Sequence, residues 1–401
     1  MKNVIRLSIL LITFSFAIGG TTKAQWTVVN SGLSCDFTSI CMGADNRLCC
    51  SGLNGTIILS DDAGESWYPA SIGTNETVFH ISMLGQTGYA VADEGAVFNS
   101  SDNGFSWNEV YNTGSKLRCL FVLSPSSFYF GGQYELLWEA NHGSWNPIPY
   151  ITGPGYWFRD IHFPDGQSGY AVGDGGRAYK TPNSGYGWFL MNTQTDNHLQ
   201  GVYFPSPDTG YCVGFGSTIL KTNDGGINWQ NIYPGAANNF RSTFFLTNDY
   251  GFVSGEEGTI LRTEDGGQTW ITEETDITQT LKEFCYLPEI DRLLVCGFEG
   301  IILYKDLITI VDEYSSHRDN EVKVEINPNP FNQSFNMKIS GLQNKEYNLL
   351  ISGSRNEKVR EVIGIQNGHL EVDTQGIPSG TNFYQIISNG RSIASGKLIK
   401  R

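Results

Sequence analysis

Seven of the nine tryptophans recur at nearly constant intervals along the 401-residue chain. A repeat of about 40 residues matches the length of a β-propeller blade, and units of this size bury their apolar faces only by stacking on their neighbours. The spacing therefore predicts a ring of repeated units. The repeated tryptophans, 38 to 43 residues apart, are Trp26, Trp67, Trp107, Trp145, Trp188, Trp229 and Trp270.

One repeat, residues 77–110, contains four short apolar segments separated by turn residues. The segments TVFHISML, YAVA, AVFNS and WNEV are joined by GQTG, DEG and SDNGFS. Four short antiparallel strands make one propeller blade. Other repeats contain runs such as GVYF and STFFL, whose continuous apolar character is typical of strands buried on both faces. The repeats therefore predict an all-β domain.

The first and last repeats indicate how the ring closes. Residues 281–305 contain three strand-like segments but no repeated tryptophan, whereas Trp26 precedes any complete repeat. We expect residues 25–29 to supply the fourth strand of the last blade, because this removes an unpaired edge and ties the two ends together. Residues 25–305 should then form a seven-bladed β-propeller.

Three of the repeated tryptophans follow a turn of the pattern Ser/Thr-x-Asp-x-Gly-x-Ser/Thr-Trp, the turn before Trp229 departs from it at one place, and the turn before Trp188 departs at two. An Asp in such a turn can accept backbone hydrogen bonds, and the Gly suits positive φ. We interpret these boxes as structural turns with the tryptophan packed beneath, and we expect no metal, because they lack the central Gly and terminal Glu of a helical calcium loop. The box residues are Asp62, Asp102, Asn183, Asp224 and Asp265, with Trp67, Trp107, Trp188, Trp229 and Trp270.

The boxes, together with GYAVG at 169–173 and GSTILKTNDGGINW at 216–229, resemble the BNR/Asp-box superfamily. They are most similar to the propeller of the photosystem II stability/assembly factor type. The resemblance extends over about residues 26–305 and implies the propeller fold. It specifies function weakly, because Asp boxes also occur in sialidases, xyloglucanases, sorting receptors and proteins of no known activity.

The C-terminal part of the chain lacks the repeat. Residues 306–320 are polar and predict a linker, and residues 321–401 contain short strand-like segments typical of a small Ig-like β-sandwich. The PNPF sequence at 328–331, IPSG at 377–380 and KLIK at 397–400 resemble the type A sorting domain of type IX secretion. This resemblance implies contact with the type IX secretion machinery of a Gram-negative bacterium and passage across its outer membrane. An adhesive Ig-like module is the alternative.

The N-terminus has the features of an export signal. Lys2 and Arg6 precede an apolar run at 7–18, and small residues lead to Ala24. We expect a signal peptide over residues 1–24, with a buried N-terminal helix as the alternative. The run is too short to span a bilayer, and no later segment has about 20 apolar residues, so the mature chain should have no transmembrane segment. The protein is expected to be secreted or held at the outer cell surface.

Charge and cysteine content restrict the partners and covalent chemistry. Residues 25–320 carry 13 basic and 34 acidic side chains, which argues against nucleic-acid binding. The chain has eight cysteines, and an exported protein can oxidise them. Cys285 could pair with Cys296, and Cys41 with Cys49 or Cys50. Buried free thiols are an equal alternative.

Aligning the first strand of each repeat gives one column that is rich in basic residues. We call its four basic members, Arg118, Arg159, Arg241 and Lys282, the basic column. Arginine side chains hold carboxylates or phosphates through paired hydrogen bonds, so the basic column is a candidate binding site for an anionic group. The full column is Thr38, Phe79, Arg118, Arg159, Gln200, Arg241 and Lys282.

The acidic residues of the middle turns offer a structural alternative. If each basic residue has an acid within about 3–4 Å, the column is structural, whereas unpaired arginines would favour a ligand. A second basic column beside the boxes, Lys180, Lys221 and Arg262, shows that repetition alone produces such patterns. The middle-turn acids are Asp93, Glu94, Asp174, Glu256, Glu257 and Glu299.

The long loop at 146–158 adds aromatic residues on the same face. Tyr156 and Trp157 could contact a sugar or a protein partner, or they could pack on neighbouring blades. We therefore expect a non-catalytic binding or scaffold propeller that uses no cofactor and recognises a glycan or surface-protein ligand. A glycoside hydrolase using the middle-turn acids is the alternative.

Overall fold

A computed structural model describes most of residues 25–307 and the strands that follow them. The proposed signal peptide, residues 1–24, lies outside the described residues, and so does most of the proposed linker. The described residues are 25–134, 137–141, 144–147, 155–233, 235, 238–307, 323–327, 334–340, 348–353, 358–363, 365, 368–373, 375, 377, 380–388 and 391–400.

Seven four-stranded antiparallel sheets follow one another along residues 25–307, and each is a propeller blade. Blades 1 to 6 each use four consecutive strands. Their bounds are β2 (Phe37–Met42), β3 (Leu48–Gly52), β4 (Ile57–Ser60) and β5 (Tyr68–Ala70); β6 (Val78–Leu84), β7 (Thr87–Ala92), β8 (Ala96–Ser100) and β9 (Asn108–Asn112); β10 (Leu117–Ser124), β11 (Ser127–Gly132), β12 (Leu137–Asn141) and β13 (Ser144–Pro147); β14 (Phe158–His162), β15 (Gly169–Gly173), β16 (Ala178–Thr181) and β17 (Phe189–Met191); β18 (Leu199–Tyr203), β19 (Gly210–Gly214), β20 (Thr218–Thr222) and β21 (Gln230–Asn231); β22 (Phe240–Phe245), β23 (Gly251–Gly255), β24 (Ile260–Thr263) and β25 (Ile271–Glu273).

Blade 7 joins the two ends of the propeller. It contains β26 (Leu281–Leu287), β27 (Arg292–Gly297), β28 (Ile301–Asp306) and, as its outer strand, β1 (Thr27–Asn30). β1 runs antiparallel to β28. The innermost strands contact one another in sequence, and β26 returns to contact β2. The seven-bladed all-β prediction is therefore confirmed, and β1 closes the ring as the first and last repeats predicted.

The core lies between the blades, which explains the continuous apolar runs. In one cluster Tyr170 and Val172 of blade 4 pack with Leu199, Val202 and Trp229 of blade 5. Each strand is thus apolar on both faces because each face meets a neighbouring blade. The propeller extends slightly past the predicted boundary at residue 305. β28 continues to residue 306, and the buried side chain of residue 307 belongs to an apolar cluster between blades 6 and 7.

The box around Asp102 shows how these turns are held. The Ser106 N–H and Oγ donate to the two carboxylate oxygens of Asp102 over 3.0 and 2.6 Å, and the Ser100 hydroxyl donates to the same carboxylate over 2.8 Å. The Trp107 indole N–H donates to the Gly104 carbonyl over 3.0 Å. Gly104 has φ +87°, a conformation that glycine adopts at little cost. The turn and its tryptophan are therefore one hydrogen-bonded unit.

The other boxes repeat the hydrogen bonds to the Asp or Asn side chain, but the indole bond recurs only at Trp67, whereas the indole N–H groups of Trp188, Trp229 and Trp270 are buried without a partner among the described residues. Asp62, Asp224 and Asp265 accept the same set of bonds, and those from Asn228 lower the pKa of Asp224 to about 2. Asn183 accepts only the Thr181 hydroxyl and the backbone N–H of residue 187, because residue 187 is glycine. Trp107, Trp188 and Trp229 are buried, Trp67 and Trp270 are partly buried, and the side chain of Trp145 lies outside the description.

Replacing Asp102 with alanine is expected to lower the free energy of unfolding by about 1–2 kcal/mol, because three hydrogen bonds to its carboxylate are lost. Asp102→Asn should cost less, since Asn183 supports the same turn through one oxygen. Urea denaturation of the three proteins measures the difference. Equal stability of Asp102→Ala and the parent would show that the carboxylate does not hold the turn.

All eight cysteines are free thiols in the structure. Cys41 faces Cys49 directly across β2 and β3, whereas Cys285 faces Leu294 and not Cys296. The two other predicted partners, Cys50 and Cys296, instead meet across the interface of blades 1 and 7, where both side chains are fully buried. Burial raises the pKa of the Cys49 and Cys50 thiols, and the structure corresponds to the free-thiol alternative.

The C-terminal strands form two further antiparallel sheets. One has the order β29-β30-β33 and the other β32-β31-β34-β35. A single apolar cluster takes Met337 from the first sheet and Leu349, Tyr384 and Leu398 from the second, which makes a two-layered core. Within the residues that the structure describes, no helix is long and apolar enough to cross a membrane. The strands are β29 (Lys323–Asn327), β30 (Ser334–Ser340), β31 (Asn348–Gly353), β32 (Lys358–Ile363), β33 (Gly368–Asp373), β34 (Gly380–Ser388) and β35 (Arg391–Lys400).

Candidate functional site

The seven column residues occupy the same backbone irregularity in seven blades. In blade 3, Leu117 faces Gly132 and Cys119 faces Gly131, so Arg118 is an extra residue between two paired neighbours. Such a β-bulge redirects a side chain away from the regular sheet pattern. The column is therefore one set of structurally equivalent positions. The same register shift occurs at Thr38, Phe79, Arg159, Gln200, Arg241 and Lys282.

Arg118 is held by groups of its own blade, of the preceding blade and of the loop that leads into the following blade. Its guanidinium donates to the carboxylate of Asp93 over 2.8 Å and to the Leu117 carbonyl over 3.0 Å. Its Cζ lies 3.4 Å from the ring centroid of Phe79 and 4.8 Å from that of Trp157. The Asp93 carboxylate also accepts from a neighbouring lysine. These contacts fix Arg118 in place.

Arg159 makes a two-pronged ion pair within blade 4. Its Nε and Nη2 donate to the two carboxylate oxygens of Asp174 over 2.8 and 3.0 Å. Asp174 is buried, and the Nδ1 of His198 lies 3.0 Å from the same carboxylate. The positive charge of Arg159 is therefore neutralised inside the protein.

Arg241 is paired incompletely. One terminal nitrogen donates to Glu256, whose other oxygen accepts from Asn239 over 2.9 Å. The Arg241 Nε is buried and has no hydrogen-bond partner among the described residues. The guanidinium lies against the ring of Phe215, with Cζ 4.6 Å from its centroid. The Nε donor of Arg241 is therefore unpaired among the described residues.

Lys282 differs from the three arginines. No carboxylate lies within ion-pair distance of its ammonium in the described part of the chain, and its nearest aromatic neighbour is Phe298, at 5.7 Å. Burial, with the charges of Arg241 and Arg159 nearby, lowers the pKa of Lys282 to about 8. The three arginines have acid partners, as the structural alternative predicted, and Lys282 does not. The binding role of the basic column remains a prediction.

Tyr156 and Trp157 are both partly buried, but only Trp157 lies beside the basic column, whereas the ring of Tyr156 lies against Arg177, 4.7 Å from its Cζ. Trp157 forms a backbone bridge to Gln133 of blade 3, and its ring faces Arg118 and Arg159. It therefore packs on a neighbouring blade, which was the alternative to full exposure. Residues 148–154 of this loop lie outside the described residues.

Three titratable side chains next to column residues were missed by sequence reasoning. His80 Nε2 lies 3.3 Å from a Glu283 oxygen, and each follows a column residue in the chain. The Asp160 carboxylate accepts backbone N–H groups of Ile161 and Val202 over 2.8 Å each, and burial raises its pKa to about 7. Val202 belongs to the next blade, so Asp160 joins two blades. The position of Asp160 directly after the column residue Arg159 was the sequence signal that could have identified it.

The second basic column has structural partners. Lys180 and Lys221 donate to the carbonyls of Gly225 and Gly266, which are box residues of the following blade, over 2.7 and 2.8 Å. Arg262 pairs with nearby glutamates. The two lysines therefore tie consecutive blades together, whereas Arg262 pairs within blade 6. In the described part of the chain, no group of three or more His, Cys, Asp or Glu side chains is placed to hold a metal.

Comparison with known proteins agrees with the propeller fold. A sequence profile of the family described as Photosynthesis system II assembly factor YCF48 matches residues 184–280. The solved structure described as "YCF48 bound to D1 peptide" has a TM-score of 0.62 and 18% identity, covering 72% of this chain and 99% of that chain. The propeller is similar in fold to YCF48.

A second solved structure, "YCF48 from Cyanidioschyzon merolae", has a TM-score of 0.61 and 14% identity, covering 70% of this chain and 99% of that chain. No curated protein matches the sequence. The YCF48 structures show the propeller architecture. Because the identities are low, they do not assign roles to the residues of the basic column, which are assessed from their own contacts.

Proposed function

We propose that this chain is a non-catalytic binding propeller of the cell exterior that holds an acidic segment of a partner protein against its basic column. The observation that carries the proposal is Lys282, a cation without a carboxylate partner in the described part of the chain, beside the incompletely paired Arg241. An anionic group would supply the missing acceptors.

A peptide ligand is supported by the architecture. A propeller of this fold is described in complex with a peptide, so the scaffold is compatible with peptide binding. The aromatic rings of Trp157 and Phe298 beside the basic column offer apolar contact to the residues flanking an acid. We favour a protein partner over a glycan for these reasons.

A glycoside hydrolase is less well supported. Hydrolysis of a glycosidic bond needs two carboxyl groups that can reach the substrate. Of the middle-turn acids, Asp93, Asp174 and Glu256 are engaged by arginines of the basic column. Their role in neutralising Arg118, Arg159 and Arg241 leaves them poorly placed for proton transfer.

The binding proposal is tested with the full mature chain, residues 25–401, on an array of acidic peptides and an array of sulfated and carboxylated glycans. We expect selective binding to acidic peptides and loss of binding to matched peptides with Asn and Gln. Binding confined to glycans would contradict the choice of a protein partner. Binding to neither array would contradict the function itself.

Export by type IX secretion is the second part of the proposal and rests on the motifs at residues 328–331, 377–380 and 397–400. Deletion of residues 321–401 is expected to leave a folded propeller that no longer reaches the cell exterior. Fractionation and immunoblotting of the bacterial culture measure this. A truncated chain that reaches the medium at the normal level would show that the segment does not direct export.

A further inference from the structure

We infer that the bound acid occupies the part of the propeller face formed by blades 5 to 7, where Gln200, Arg241 and Lys282 present three donors to one carboxylate of a peptide. This inference rests on the proposed function and specifies where on the face the ligand binds. The three residues occupy equivalent bulge positions in consecutive blades.

The blade 3 and blade 4 side of the column is already satisfied. Arg118 is bonded to Asp93 and to a backbone carbonyl, with aromatic rings beside its guanidinium. Arg159 uses two of its nitrogens on the buried carboxylate of Asp174. A ligand at either arginine would have to compete with an intramolecular carboxylate, which is already held in place.

The blade 5 to 7 side has unsatisfied donors. The Arg241 Nε is buried and makes no hydrogen bond within the described residues. In the same part of the chain, neither the Lys282 ammonium nor the Gln200 amide has a hydrogen-bonded side-chain or backbone partner. A buried donor without an acceptor is unfavourable, and this applies to Arg241 Nε. The Gln200 and Lys282 side chains are only partly buried, so their nitrogen atoms are open to an incoming carboxylate.

The carboxylates nearest to this subsite are occupied. Glu256 binds Arg241 and Asn239, Glu283 pairs with His80, and Glu299 accepts the Gln279 amide over 3.0 Å. Because these carboxylates already have partners, the free donors of the subsite can bind an external anion.

Aromatic rings flank the subsite. Phe215 packs on the Arg241 guanidinium, and Phe298 lies beside Lys282. Both rings lie close enough to contact apolar side chains next to a bound acid. The geometry therefore suits an Asp or Glu side chain in an apolar stretch of peptide.

Lys282 gives the subsite a measurable signature. Burial and neighbouring positive charges lower its pKa to about 8, so the amine is partly neutral at pH 8.5. A carboxylate beside it favours the protonated form. Binding at this position should therefore take up protons at pH 8.5, whereas binding at an arginine should not.

The test uses the peptide acetyl-Gly-Phe-Asp-Phe-Gly-amide and isothermal titration calorimetry at pH 8.5 in two buffers of different ionisation enthalpy. We expect proton uptake with the parent chain. Lys282→Met should weaken binding about tenfold and abolish the uptake, since a charged hydrogen bond is lost. Lys282→Arg should keep the affinity within about threefold, since its guanidinium still pairs with a carboxylate, but without proton uptake.

Lys116→Met is the matched control. Lys116 is a half-exposed lysine directly before the first strand of blade 3 and pairs with Asp93, so its replacement removes a lysine from the propeller without touching the subsite. We expect a change of less than about threefold, as for an exposed ion pair. Thermal melting of each variant checks that the propeller remains folded.

Equal weakening by Lys282→Met and Lys116→Met would show that only long-range charge attracts the peptide, and this would overturn the subsite while the binding function stands. Unchanged proton uptake in Lys282→Met would also overturn it. Failure of the parent chain to bind any acidic peptide would instead overturn the proposed function.

Discussion

Replacing Trp26 with alanine is expected to lower the free energy of unfolding by about 3–5 kcal/mol, which is the range for truncating a buried tryptophan. Trp26 is 4% exposed and packs edge-on against Phe252, with their centroids 6.0 Å apart, and against Phe284. It precedes β1, which closes the ring against β28. The substitution therefore weakens both an interblade core and the junction between the two ends of the propeller.

Val28→Ala is the matched control for this effect. Val28 lies two residues further on, in β1 and paired with β28, but its side chain is 50% exposed. We expect a change within about 0.5 kcal/mol, as for exposed substitutions. Urea denaturation of both variants measures the difference. Similar stabilities for Trp26→Ala and Val28→Ala would show that Trp26 does not anchor the closing strand.

Acidification is expected to destabilise the propeller through His162. Burial lowers the pKa of this imidazole to about 4, and its Nδ1 accepts the Phe204 N–H over 3.3 Å. The unfolded chain takes up this proton below about pH 6.5, whereas the folded protein resists it until about pH 4. Stability contributed by neutral His162 is therefore present above pH 6.5 and is lost as the pH falls towards 4, by about 2–3 kcal/mol.

His162→Asn isolates this contribution, because an asparagine oxygen can replace Nδ1 as the acceptor for Phe204. Denaturation curves between pH 7 and pH 4 should show a loss of stability that is smaller in the variant by about 2–3 kcal/mol. An NMR titration should show that His162 remains neutral in the folded parent chain to about pH 4. Identical pH dependence of the two proteins would contradict this assignment.

The sequence was sufficient to predict the propeller because turn motifs and tryptophans mark the start and end of most blades. The tryptophan spacing predicted the number of blades, and the missing box after residue 281 predicted the strand exchange at β1. The sequence did not predict where the propeller ends. Leu307 follows the polar Asp306, and the burial of Leu307 depends on packing between blades.

The candidate site was only partly accessible from the sequence. Aligning the first strands of the repeats identified the column because the bulge occurs at the same position in every blade. It could not choose the acid partners, since Arg118 reaches an acid of the preceding blade while Arg159 and Arg241 use their own. The pairing of His80 with Glu283 joins blades 2 and 7, and no local pattern reports a contact between such distant segments.

The position of a bound acidic peptide tests the central claim most directly. A crystal structure of the mature chain with acetyl-Gly-Phe-Asp-Phe-Gly-amide should place the peptide carboxylate within hydrogen-bonding distance of the Arg241 guanidinium and Lys282 Nζ, with the ion pairs of Arg118 and Arg159 intact. A peptide bound along the outer strands or at the Asp boxes, with Lys282 uncontacted, would contradict the account of the basic column as the binding face.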